Sequence, residues 1–157
     1  MKLVAKYDVE APVDFVFAQI ADFDGWERAA MRRGADVTRT DRLRAVGPGM
    51  GWAVQFRYRG KDRNANIRLD GITPTSNVAL TGISVLADGV MNIDLLDLAA
   101  KRTRIEVRLE VKPKTLTARI FVQTLRLTRA RVERNFSQRV AQLAAEIEDR
   151  YRRPLKA

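Results

Sequence analysis

The spacing of apolar residues changes at Pro113, and this change constrains the fold more than any other feature of the sequence. Before it, the segment Ile105, Val107, Leu109 and Val111 alternates strictly with charged residues. After it, apolar residues recur at every third and fourth position as far as Ile147. Alternation is typical of a strand with one buried face, and the longer period is typical of an amphipathic helix. The sequence therefore predicts β-structure followed by a long C-terminal helix.

The region from residue 35 to residue 113 contains several such alternating strands. The clearest has Trp52, Val54, Phe56 and Tyr58 on one face. Turn-forming segments separate the strands, at residues 60–62, 73–74, 87–89 and 100–102. Short connections join antiparallel neighbours, and alternation leaves one face of the sheet apolar and the other in water. We therefore expect a curved antiparallel sheet of about six or seven strands.

A strand and two short helices precede this region. Residues 2–10 alternate, Pro12 is suited to the first turn of a helix, and the next apolar residues have helical spacing. A second helix is predicted over residues 26–33, with Asp24 as a possible N-cap and Gly34 as the residue that ends it.

The C-terminal helix is predicted to present one apolar stripe and one basic surface. Arg126, Arg131, Arg134, Arg150 and Arg153 lie opposite the stripe. A continuous helix over residues 115–152 would be about 57 Å long at ~1.5 Å per residue, which exceeds the width of a small core. We therefore expect a bend or break between Ile120 and Thr128. The stripe itself consists of Phe121, Leu125, Thr128, Val132, Phe136, Val140, Leu143 and Ile147.

Composition limits the possible chemistry. The chain has 157 residues, no cysteine and no histidine, and a net charge of +10. Disulfides, zinc–thiolate sites and Ser-His-Asp or Cys-His catalysis are therefore excluded within this chain. The sequence shows no repeat or linker, so we expect a single domain over residues 1–157. Without a recognisable export signal or an apolar run of ~18–20 residues, a cytoplasmic location is the default expectation.

The opening of the chain resembles that of the START-related helix-grip superfamily, which includes polyketide cyclase/dehydrase-like, coenzyme-Q-binding-like and pollen-allergen-like domains. The resemblance rests on Ala11-Pro12 at the start of the first helix and on Ala21-Asp22-Phe23 leading to Trp26. The order of elements is similar over essentially the whole chain. The resemblance implies an α+β helix-grip fold with an apolar cavity between the sheet and the C-terminal helix. Family members use this cavity for lipids, polyketides, hormones or isoprenoid quinones.

The predicted ligand is accordingly a small hydrophobic molecule, and the arginine excess favours one with an acidic head group. No cofactor and no metal are predicted. The same side chains would pack together as an ordinary core if no cavity were present. The candidate ligand contacts, on the concave face of the sheet and on the helix, are Trp52, Phe56, Tyr58, Ile67, Leu69, Met91, Ile93, Leu95, Phe121, Leu125, Phe136 and Val140.

Two other functions remain open from the sequence. A cyclase or dehydratase could use Tyr58 and Asp97, although no residue is assigned as catalytic, because Asp70 and Asp94 are predicted on the wet face. The basic helix face, residues 126–139, could instead contact an anionic membrane surface or nucleic acid. Nucleic acid is the weaker alternative, because the aromatic and basic residues of segment 56–63 alternate onto opposite faces. The oligomeric state is not predicted.

Overall fold

The computed structural model describes residues 1–153, so positions 154–157 of the predicted domain lie outside the described residues. The N-terminal strand, two short helices, the strands and a long C-terminal helical region follow one another in the predicted order. The elements in chain order are β1 (Lys2–Val9), α1 (Val13–Ile20), α2 (Phe23–Arg32), β2 (Asp36–Arg39), β3 (Gly51–Tyr58), β4 (Lys61–Thr73), β5 (Asn77–Ile83), β6 (Ala87–Ala99), β7 (Arg102–Pro113), α3 (Leu116–Leu127) and α4 (Arg129–Arg152).

The seven strands form one antiparallel sheet in the order β1-β7-β6-β5-β4-β3-β2. Consecutive strands from β2 to β7 are neighbours, and β1 lies at the edge of the sheet beside β7. The register shifts between Leu69 and Gly71 and again between Asp97 and Ala99. Such bulges bend the strand that contains them and increase its twist, which curves the sheet. The curved sheet and the long C-terminal helix confirm the predicted α+β helix-grip architecture.

The sheet holds α4 against its concave face. Ile147 is completely buried, and Val140 and Ala144 are buried beside it on the same face of the helix. Polar contacts flank this interface: the Tyr7 hydroxyl and Ser137 Oγ are 2.6 Å apart, and the Glu10 amide donates to Glu148 Oε1 at 2.8 Å. On α4, the predicted stripe therefore packs into the core through Phe136, Val140, Leu143 and Ile147, whereas Thr128, also predicted on the stripe, is exposed.

The C-terminal helix breaks at Thr128, at the end of the predicted interval. Thr128 has φ −116° and ψ 33°, which is outside the helical range, and its amide donates to the Leu125 carbonyl at 3.1 Å. The first part, α3, begins at a cap in which Thr115 Oγ1 accepts from the Ala118 amide. The break turns one helix that would be too long for the core into two independently placed helices.

Several predicted boundaries are wrong, among them the turn at residues 60–62, because Lys61 and Asp62 already belong to β4. The helix α2 begins at Phe23 rather than at Trp26, because Asp22 and not Asp24 is the N-cap and accepts from the Gly25 amide at 3.1 Å. Residues 87–89 belong to β6 rather than to a turn. The turn lies just before them, where Ser84 and Ala87 exchange hydrogen bonds through the Ser84 hydroxyl and the backbone.

The loop before β3 is held by Asp41. Its carboxylate accepts from Arg39 Nη2 at 2.6 Å and Nε at 2.8 Å, and from the amides of Gly51 and Leu43. The Arg39 hydrogen bonds, assisted by the amide of Gly51, hold the pKa of Asp41 well below its usual range. This loop fixes the first residues of β3 and thereby the position of Trp52, the next side chain after Gly51.

Candidate functional site

A cavity of about 440 Å³ lies between the concave face of the sheet and the helices α2 and α4. Apolar side chains from β2 to β7 form its floor, and the two helices form its walls. The residues that line it are Ile20, Phe23, Trp26, Glu27, Ala30, Arg33, Val37, Trp52, Ile67, Val78, Leu80, Met91, Ile93, Val107, Phe136, Arg139, Val140, Gln142, Leu143 and Glu146.

Trp52 ties the floor of the cavity to α2. It is buried on β3, and its ring packs against Phe23 with 5.3 Å between the ring centroids. Its indole Nε1 donates to Glu27 Oε1 at 2.6 Å. Phe23 and Glu27 lie one turn apart on α2, so both contacts come from the same face of that helix. Trp52 therefore determines how far α2 stands from the sheet, and so the width of the cavity.

The cavity opens between α2 and α4. The exposed residues among its lining are Trp26 and Arg33 from α2 and its end, and Arg139, Gln142 and Glu146 from α4. The lining residues on the sheet are buried or half-buried. Trp26 is held at this opening because its Nε1 donates to the Ile20 carbonyl at 2.9 Å. A ligand entering here would pass a polar rim before it meets the apolar interior.

The rim carries two arginines, Arg33 and Arg139. Within residues 1–153, neither Arg33 nor Arg139 forms a salt bridge. Most of the acidic residues that do form salt bridges lie on the outer face of the sheet, for example Asp8 with Arg104 and Asp94 with Arg108. A guanidinium that is free to bond is a strong donor to a carboxylate or phosphate group. The rim can therefore receive an anionic group.

The structure places six of the twelve predicted ligand contacts in the cavity lining. These are Trp52, Ile67, Met91, Ile93, Phe136 and Val140. The other six lie elsewhere. Leu69 and Leu95 are buried in the core, Phe121 and Leu125 are half-buried on α3, and Phe56 and Tyr58 are exposed at the end of β3. As ligand contacts, the twelve residues stay predictions.

Tyr58 and Asp97, the residues considered for catalysis, do not line the cavity. Tyr58 is in the predicted phase, but it is the last residue of β3 and lies beyond the part of the sheet that α2 and α4 cover. The neighbouring Arg59 is exposed and stacks on Tyr58 and on Phe121, with centroid distances of 5.5 Å and 4.5 Å. Asp97 is exposed beside the β6 bulge, which changes the phase of the strand.

The residues that sequence reasoning missed come mainly from α2 and from the flank of α4. Glu27, Ala30 and Arg33 belong to the first group, and Arg139 and Glu146 to the second. On α2, Phe23, Glu27 and Ala30 follow helical spacing, which was a usable signal that one face points inward. Nothing in the spacing indicated that this face meets a void rather than the sheet.

Across residues 1–153, no three acidic side chains are grouped as they would be to hold a metal ion. In the same part of the chain, no helix combines the length and the apolar composition that crossing a membrane requires.

The fold was compared with known proteins. No protein-family model matches the sequence, and no curated protein matches it. Solved structures do match over nearly the full length. The Zhui aromatase/cyclase from Streptomyces sp. R1128 aligns with a TM-score of 0.71 and 17% identity over 97% of this chain and 96% of its own. Ara h 8.0201 aligns with a TM-score of 0.62 and 15% identity over 96% and 97%.

A START superfamily protein from Mycobacterium smegmatis also aligns, with a TM-score of 0.57 and 11% identity over 87% of this chain and 97% of its own. The chain has a helix-grip fold like that of these structures. The identities are too low to carry residue roles, so the helix-grip comparison establishes the arrangement of sheet and helices. It agrees with the resemblance carried by residues 11–26.

Proposed function

We propose that this protein binds or carries a small hydrophobic molecule with an acidic head group in the cavity between the sheet and α4. The observation that carries the proposal is the apolar cavity of about 440 Å³ with Arg33 and Arg139 at its rim. This volume lies within the range of ~300–1,000 Å³ for small-molecule pockets. Neighbours with this fold include an aromatase/cyclase and a START superfamily protein, which supports a ligand of lipid, quinone or polyketide type.

The binding energy in this proposal comes from two sources. The apolar part of the ligand leaves water and contacts Met91, Ile93 and Phe136, at ~25 cal/mol per Å² of buried apolar surface. The acidic head accepts hydrogen bonds from Arg33 and Arg139, which orients the ligand with its head at the rim. The rim arginines are exposed, so their contribution is smaller than that of buried ion pairs and falls with salt.

Replacing both rim arginines should separate these sources. For Arg33→Gln combined with Arg139→Gln, we expect the affinity for the fluorescent fatty acid cis-parinaric acid to fall about ten-fold. The affinity for its methyl ester should change less than two-fold, about 0.4 kcal/mol, because the ester has no charge to lose. Fluorescence titration at low salt measures both affinities.

The matched control is Arg32→Gln with Arg134→Gln, which removes the same charge from exposed positions of α2 and α4 that do not line the cavity. An equal loss in this control would mean that net charge and not the rim recognises the acid. No uptake of acid or ester by the unaltered protein, together with no bound compound in native mass spectrometry, would refute the binding function itself.

A second candidate function is cyclisation and dehydration of a polyketide-like chain. It is favoured by Glu27, whose carboxylate lines the cavity while the indole of Trp52 orients it. A carboxylate held in an apolar cavity can remove a proton from a carbon between two carbonyl groups. The carbanion then attacks another carbonyl of the same chain, and the alkoxide that forms takes the proton back from the Glu27 carboxyl group. The resulting hydroxyl leaves as water together with a hydrogen from the carbon between the carbonyl groups, which forms a carbon–carbon double bond.

Under this second function, Glu27→Gln should abolish product formation while ligand uptake remains within about three-fold. Incubation with a short poly-β-ketone thioester, followed by mass spectrometry for the loss of one water, measures the reaction. The absence of product with the unaltered protein would leave only the binding function.

A further inference from the structure

We propose that the outer face of α3, together with the turn between β5 and β6, docks on an anionic lipid bilayer. This inference is independent of the cavity and of any ligand in it. It rests on an exposed apolar ridge, which we define as Leu116, Ile120 and Leu127 of α3 and Val85 of the turn. It rests also on the charge of the surrounding segment.

The helix α3 has apolar residues on two opposite faces. Its inner face packs on the protein through Phe121, Val122 and Leu125. Its outer face carries Leu116, Ile120 and Leu127, whose exposed fractions are 74%, 56% and 86%. At ~3.6 residues per turn these three side chains fall within about 40° of one another. They therefore form a continuous stripe that faces water. Removing this apolar stripe from water would be favourable.

The turn between β5 and β6 lies next to the start of α3 and exposes a further apolar side chain. Val85, at its tip, has an exposed fraction of 82%. The turn is bonded to the segment that leads into α3: the Lys114 amide donates to the Leu86 carbonyl at 2.8 Å, and Lys114 Nζ donates to the Ser84 carbonyl at 2.9 Å. Val85 lies between the two bonded carbonyls, and Lys114 is two residues before Leu116, so the tip of the turn is held close to the start of α3. A loop tip and a helix face in one place suit insertion into an interface.

All charged residues in the segment around the ridge are basic. Residues 111–132 contain no acidic residue, and the nearest ones are Glu110 and Glu133. Lys114 and Arg129 form ion pairs with Asp88 and Glu133. The other basic side chains of the segment have no salt-bridge partner in the part of the chain that the structure describes. The basic residues of the segment are Lys112, Lys114, Arg119, Arg126, Arg129 and Arg131.

This combination fits an anionic bilayer better than a nucleic acid. Arg119 and Arg126 lie about 80–100° from the middle of the ridge, on one flank of the helix, where they reach lipid phosphates while the ridge enters the acyl boundary. Each basic residue near an anionic surface contributes modestly, and several together anchor a domain. Binding of single-stranded nucleic acid relies on stacking of bases on exposed aromatic rings, whereas the ridge is aliphatic and offers no such surface.

The test is flotation with vesicles of phosphatidylcholine alone and of phosphatidylcholine in which about three lipids in ten are phosphatidylserine. The ridge variant is Leu116→Gln, Ile120→Gln and Leu127→Gln, and the charge variant is Arg119→Gln with Arg126→Gln. The control, Leu43→Gln with Val46→Gln, removes exposed apolar side chains from the loop before β3. Circular dichroism should show that all variants keep the fold, because every changed residue is exposed.

We expect the unaltered protein and the control to float with anionic vesicles and not with neutral ones. Both the ridge and the charge variant should bind at least about ten-fold more weakly. Equal binding to neutral vesicles, or an unchanged ridge variant, would overturn the proposal. Single-stranded RNA that binds as tightly as the anionic vesicles, with an affinity that falls only in the charge variant, would also overturn the proposal. So would sedimentation without lipid that shows two copies of the chain associating through the ridge.

Discussion

Closing the rim of the cavity with two tryptophans is expected to reduce ligand affinity at least about a hundred-fold. The variant combines Ala30→Trp on α2 with Gln142→Trp on α4, two lining positions on the opposite sides of the opening. At ~25 cal/mol per Å², keeping even ~120 Å² of ligand surface out of the cavity costs about 3 kcal/mol. Titration with cis-parinaric acid and its methyl ester measures the loss, and both ligands should be affected equally.

Stability separates this steric effect from unfolding. Ala30 is half-buried and Gln142 is exposed, so the larger side chains replace solvent or cavity space rather than core atoms. The control, Met31→Trp with Gln138→Trp, places tryptophans on exposed positions of the same two helices outside the cavity lining. It should bind as the unaltered protein does. A rim variant that folds and still binds with unchanged affinity would place the ligand somewhere other than this cavity.

Truncation of Ile147 to alanine is expected to lower the free energy of unfolding by about 2–5 kcal/mol. Ile147 is completely buried on the inner face of α4 and does not line the cavity, so its removal opens a new void between helix and sheet. Such a loss is a large share of the ~5–15 kcal/mol that stabilises a typical domain. Urea denaturation followed by circular dichroism measures it.

Leu127→Ala is the matched control, because Leu127 is the most exposed large apolar residue of the two C-terminal helices. It should change the free energy of unfolding by less than ~0.5 kcal/mol. A change below ~1 kcal/mol for Ile147→Ala would contradict the packing of α4 against the sheet. If Leu127→Ala destabilised the protein as strongly, α3 would have to pack on its outer face as well.

Much of the fold could be predicted because its signals are local. Alternation placed β3 and β7, and the change of period at Pro113 separated sheet from helix. The excessive length of a continuous helix predicted a break, which lies at Thr128, the end of the predicted interval. The errors were also local in origin. Asp22 and Asp24 are both suitable caps, and the Ser84–Ala87 hydrogen bonds that move the turn before β6 depend on side-chain geometry that spacing does not contain.

The candidate site could be predicted only in part. The alternation of apolar and polar residues along the strands predicted that Trp52, Ile67 and Tyr58 lie on the concave face of the sheet, and Trp52 and Ile67 do line the cavity there. Phase does not show where the covering helices end, so Tyr58 and Phe56 lie beyond them at the exposed end of β3. The contribution of α2 was missed because its distance from the sheet depends on the contacts of Trp52 with Phe23 and Glu27.

The sequence by itself determined the order of elements, the faces they bury and the basic character of the segment around α3, because each follows from residue types at fixed spacing. The tertiary structure decided whether the buried faces meet. Leu69 and Ile147 are packed completely, whereas Met91, Ile93 and Phe136 border a cavity. A void depends on the separation of whole elements, which Trp52 and the strand bulges set over long range. No local pattern of apolar residues encodes that distance.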